Sequence, residues 1–99
     1  MRNVEAEAVA RLVGSWAARE LGAQVDTTPL EIVLRGVLGP PRDLLAAAAS
    51  GIVTRTEVAA GVAAHVHTWL IECGAVGSGD LPDAEQLVRQ IEATLFPPS

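Results

Sequence analysis

His65, His67 and Cys73 are the side chains of this sequence whose types could hold a metal or pair a nucleophile with a base. Their spacing works against both. Positions two apart on a helix point about 200° from each other, so His65 and His67 on a helix cannot share one ion, whereas a strand would place them on one face. His65 and Cys73 do share a helical face, but two ligands leave a zinc site incomplete. The chain has no further Cys or His, so only an oligomer could supply the rest. A catalytic thiol needs a helix N-terminus or a cationic neighbour. Cys73 instead follows Glu72 at a predicted helix C-terminus, and neither influence favours a thiolate. The expectation is a buried, inert cysteine and two histidines packed at the edge of an apolar helix. If a ligand binds there, His65 or His67 would orient its polar group.

Carboxylates are the other candidates. Glu5 with Glu7, and Asp80 with Asp83 and Glu85, fall at predicted helix N-termini, where negative charge is favoured by the helix dipole without any catalytic role. Asp26 stands apart from both groups. The segment from Gly74 to Gly79 is rich in glycine but lacks the Lys and hydroxyl that follow a phosphate-binding loop. It reads as a hinge. No catalytic, cofactor-binding or metal-binding residue is expected.

The elements that position these residues follow from one unusual stretch. From Val58 to Ile71, fourteen residues carry no charge, and only His65, His67 and Thr68 among them are polar. A helix apolar on every side sits at the centre of a bundle or is buried by a second chain. Thr54 and Glu57, three apart just ahead of it, have the spacing of a capping box. A helix is therefore expected over about 55–73, with Gly74 as its stop. Val, Ile, Thr and Trp would also suit strands over 52–58 and 64–73, but Ala59, Ala60, Ala63 and Ala64 weigh against them.

Around it, residues 3–21 repeat Val9, Leu12, Val13, Trp16, Ala17 and Leu21 at helical spacing, and Gly22 ends the run. Thr28 is placed to cap a second helix, with Pro29 at its first position. Leu30, Val33, Leu34 and Val37 are expected on one face of it, before Gly39, Pro40 and Pro41 stop it near Leu38. A short alanine-rich helix is expected from about Arg42 to Ser50, stopped by Gly51. A last helix is expected to be capped by Asp80 and lined by Ala84, Leu87, Val88, Ile91 and Leu95. The predicted fold is all-α: one domain over 1–99, a compact bundle of four to five short helices with the apolar helix central.

Composition bounds the function. Ninety-nine residues bury roughly 60–65% of their unfolded surface, an adequate but marginal core. The net charge of -5, with seven scattered Arg and no Lys, argues against nucleic-acid binding. The longest charge-free run falls short of the about 20 residues a membrane span needs. No apolar leader follows Arg2, and a lone Cys suits a reducing setting. A soluble, cytoplasmic protein is expected.

The first helix followed by Val25-Asp26-Thr27-Thr28-Pro29-Leu30 resembles the layout of an acyl carrier protein. The resemblance implies a shared helical arrangement over that part of the chain. The family carries phosphopantetheine on an Asp-Ser-Leu at the start of its second helix, and Gly39-Pro40-Pro41-Arg42-Asp43-Leu44 has no serine, so no site is carried over.

Small residues on the apolar helix, Ala59 with Ala63 and Ala60 with Ala64 around Gly61, let another backbone approach closely. Val62, Val66, Trp69 and Leu70, with Trp16 nearby, are the expected contact residues. Burying each aliphatic anchor is worth roughly 1.5–3 kcal/mol. The expected role is a non-catalytic interaction protein: a small acidic accessory, regulatory or inhibitory subunit that binds a protein partner or forms a homodimer. The alternative is a carrier-like or small apolar-ligand-binding helical domain, and a small enzyme or metal-binding protein ranks behind both.

Overall fold

The computed structural model describes residues 3–77 and 83–97, and within them five helices and no strand: α1 Val4–Glu20, α2 Thr28–Leu38, α3 Leu44–Ala49, α4 Arg55–Glu72 and α5 Ala84–Leu95. Several starts and stops have a local cause. Asn3 caps α1 by accepting the Ala6 N–H at 2.9 Å, and Glu5 and Glu7 occupy the first turn, as the dipole favours. Gly22 ends the helix with φ +62°, a left-handed conformation that glycine adopts without steric cost, and the Ala23 N–H turns back to the Ala17 carbonyl at 3.2 Å. Gly74 does the same after α4, with φ +79° and the Ala75 N–H on the Leu70 carbonyl.

The capping box of α4 is complete. Thr54 Oγ1 accepts the Glu57 N–H at 3.0 Å, and Glu57 Oε1 accepts the Thr54 N–H at 3.1 Å. Thr54→Ala removes one of these bonds, and a loss of about 1 kcal/mol is expected. For a chain of this size that is a fall of about 4–8 °C in Tm, readable by thermal circular dichroism.

Two starts differ from expectation. Thr28 does not cap α2: it is the first helical residue, and Asp26 Oδ1 accepts its N–H at 3.1 Å. The Asp26 carboxylate, two residues back, reaches the orphan N–H, as in an Asx turn. The residue before α5 is Asp83, in a left-handed conformation and making no side-chain cap bond. Asp80 lies outside the described residues.

Packing builds a bundle in which α1 lies against α2 and α5, and α4 runs along α5 while also touching α2 and α3. Helices α4 and α5 are antiparallel. Thr56 near the start of α4 donates to Glu92 near the end of α5 at 2.8 Å, and the Arg55 guanidinium stands 5.6 Å from the Phe96 ring centroid. The core cluster takes Val9, Val13 and Trp16 from α1, Leu30 and Leu34 from α2, Val62, Val66 and Leu70 from α4, and Leu87 and Ile91 from α5. Among the described residues no polar or charged residue is buried. The radius of gyration, 12.8 Å, matches the about 13 Å of a folded chain of 100 residues. The thin α3 contributes only half-buried Leu44, Leu45 and Ala48 to the edge of this core.

Helix α4 is the apolar helix expected over about 55–73, with one difference. It is not covered on every side: Ala60, Ala64 and Thr68, spaced four apart, face water. An exposed alanine presents one methyl group, so a helix can lack charge and still leave a side open at little cost. At Gly61 a Cβ would make an ordinary contact, 3.8 Å, with Leu44 Cδ1 of α3, so no backbone approach closer than usual occurs there.

Candidate functional site

Every residue expected to contact a partner lies in the chain's own core. Trp16, Val62, Val66 and Leu70 are fully buried and Trp69 nearly so, all within the cluster shared by α1, α2, α4 and α5. In this fold they hold helices together and present nothing to a second molecule. His65 and His67 are half-buried on different sides of α4. Cys73 is exposed, not buried, at the C-cap of α4, where its Sγ–H reaches the Leu70 carbonyl at 3.5 Å. The helix ends there and turns its last residues away from the core. Among the described residues, no three metal-ligating side chains come together.

The open surface depressions among the described residues include two of several hundred cubic ångströms. One, of about 390 Å³, lies where the loop after α1 folds back along that helix, and includes Arg11, Ser15, Gln24 and Thr27. The other, of about 320 Å³, is a shallow patch at Glu85, Val88 and Arg89 of α5. Neither is lined by His65 or His67, and neither is the expected apolar cavity between alanine-lined helices. Among the described helices, none is long and apolar enough to cross a membrane.

The surface that stands out is the outward side of α2. Leu30, Leu34, Val37 and Leu38 turn inward and are buried. The sequence pattern predicts Val33 on that inner face, but it is 43% exposed, and Ile32 beside it is 61% exposed. Six apolar residues from Leu30 to Leu38 encircle the helix, so periodicity alone cannot select which arc faces the core. Once Leu30, Leu34 and Leu38 dock, Ile32 and Val33 rotate to the other side. The signal available in the sequence was Ile32, an apolar residue that the expected inner face leaves unassigned.

Pro29, Ile32, Val33 and Gly36 fall three and four residues apart and form one ribbon on α2. The two charges of the helix pair with each other, Arg35 Nη2 to Glu31 Oε1 at 2.8 Å. An exposed pair of this kind adds about 0.3–0.5 kcal/mol at most. Its larger consequence is that α2 carries no net charge in a chain of -5.

Asp26, at the start of this helix, has an electrostatic signature. The Thr28 backbone N–H, and then the Thr28 hydroxyl, hold its carboxyl below the ordinary 3.8. A lowered carboxyl stabilises the fold above pH 3.8, and the contribution is lost as pH falls through the depressed folded value. Asp26→Asn keeps an acceptor oxygen without the proton equilibrium. Its melting temperature is expected to fall less steeply than that of the wild type below pH 3.8, measured by circular dichroism in a pH series.

No protein-family model, curated protein or solved structure matches this chain.

Proposed function

We propose that this chain is a non-catalytic interaction protein, a small acidic accessory, regulatory or inhibitory subunit that engages a protein partner through the outward face of α2. The observation that carries the reading is the contiguous exposure of Ile32 and Val33, beside Pro29, on a well-formed helix. Single exposed apolar residues are common on protein surfaces. A ribbon of them on a helix whose opposite face is fully buried departs from the usual pattern, in which the solvent side of a packed helix is polar. The core residues Leu30 and Leu34 hold α2 rigidly, so little ordering entropy opposes docking. A short apolar helix face suits helix-in-groove or helix-on-helix recognition. The exposed free thiol of Cys73 suits a reducing, cytoplasmic setting.

Val62, Val66, Trp69, Leu70 and Trp16 serve this function indirectly, as the core against which α2 is set. The test is affinity capture from the host with the wild type and with Ile32→Glu, both verified as folded by circular dichroism. A binding partner retained by the wild type and lost with Ile32→Glu supports the reading. A set of bound proteins unchanged by Ile32→Glu and by Val33→Glu overturns it.

A further inference from the structure

We infer that α3 is a flap: the segment 44–52 opens and closes over α4 while α1, α2, α4 and α5 stay folded. No residue of α3 is fully buried, whereas each of the other four helices buries at least three. Half-buried Leu44, Leu45 and Ala48 are its share of the core. Its six residues also cannot hold a helix by themselves, since isolated helices shorter than about 12 residues are marginal in water. The helix therefore persists only while it rests on α4 and α2.

Both ends of the segment are weakly held. Asp43, at the N-cap of α3, makes no side-chain cap bond and stands at φ +52°, ψ +53°, a left-handed conformation that is unfavourable for a residue with a Cβ. Opening lets Asp43 relax. At the far end Gly51 turns at φ +79°, and Ile52 beyond it is 77% exposed. The chain regains an apolar anchor only at half-buried Val53, just before the capping box that starts α4. The flap is thus bounded by a strained residue and a glycine, positions at which a chain can absorb a change in backbone angles.

The hydrogen bonds of the segment are local. The Ala47, Ser50 and Ile52 amides donate to the carbonyls of Asp43, Ala46 and Ala47 at 3.1, 3.0 and 2.9 Å, and Ser50 Oγ donates to the Ala46 carbonyl at 2.8 Å. All four lie within 43–52, so water can replace them without breaking a bond of another helix. A unit with few buried contacts and local, exposed hydrogen bonds opens at lower free energy than the whole domain. When closed, α3 sets Leu44 against α4 at Gly61. Because α4 carries no charge from Val58 to Ile71, the surface bared by opening is apolar.

Amide hydrogen exchange of the full chain, read by NMR, tests this. The Ala47, Ser50 and Ile52 amides are expected to exchange roughly a hundredfold faster than those of Val62 and Val66 in α4. Their rates are expected to stay nearly flat in low urea, where those of α4 accelerate, because opening the flap exposes little surface. Ala47→Pro removes the bond from the Ala47 N–H to Asp43 and clashes with the preceding turn. This variant is expected to lose only the six helical residues of α3 and to keep the Val62 and Val66 amides protected. Amides of α3 that exchange at the rate and with the urea dependence of α4 overturn the flap, and so does an Ala47→Pro chain that unfolds as a whole.

Discussion

Val62→Asp is expected to unfold the isolated chain. Val62 is fully buried in the middle of α4, among aliphatic side chains of its own bundle. An aspartate there is either an unpaired charge in a low-dielectric core or a neutral acid among aliphatic side chains, and both are costly. Burying an unpaired charge is among the few single changes that exceed about 4 kcal/mol, against a typical total stability of about 5–15 kcal/mol. Far-UV circular dichroism is expected to show loss of helix. The same substitution in an interface residue would leave a folded monomer. Val62→Asp therefore separates the core role that the structure assigns to α4 from the contact role that its charge-free sequence suggests. A folded Val62→Asp monomer would mean that α4 does not pack as described.

Trp16→Ala is expected to destabilise by about 3–5 kcal/mol, the range for emptying a buried aromatic site. Trp16 is fully buried on α1, and α1 meets both α2 and α5. Among the described residues its indole Nε1–H has no acceptor, and Gln86 Oε1 and Gln90 Oε1 on α5 are also buried without a donor. A buried donor left unpaired costs about 1–3 kcal/mol. Trp16→Phe removes that donor along with part of the ring, so the lost packing and the lost penalty offset each other. A change within about 1 kcal/mol is expected for Phe. Urea unfolding of the two variants reads the difference directly. A loss for Phe well above about 1 kcal/mol would show that the N–H is satisfied in solution.

The placement of helices was legible in the sequence because punctuation is local chemistry. Thr54 with Glu57 is a closed set of backbone and side-chain bonds within one turn, and it formed where the spacing predicts. Gly22, Gly51 and Gly74 stand where a helix must turn left-handed to end, and each does so. The errors were of the same local kind. Asp26 and Thr28 both have oxygens near the start of α2, and the chain's path into the helix, not residue type, put Asp26 in reach of the orphan N–H.

The candidate site was less legible. The apolar run in α4 drew the expected contacts to Val62, Val66, Trp69 and Leu70, since an uncharged helix in a small chain needs cover. In the fold, α5, α2 and α3 provide most of that cover, and exposed Ala60 and Ala64 need little. On α2, by contrast, Ile32 and Val33 are adjacent and exposed, beside a Glu31–Arg35 pair that neutralises itself.

By itself the sequence determined an all-helical chain, its five helical segments, most of their boundaries and an aliphatic core, because these depend on caps, breakers and periodicity within a few residues. Only the tertiary structure decided which side of α2 meets water, that Val62 and Trp16 belong to the core, and that Cys73 is exposed. Burial is a property of what neighbours leave uncovered. A helix apolar on all sides can dock through any of its faces, and the choice is made when α1, α4 and α5 close around Leu30 and Leu34.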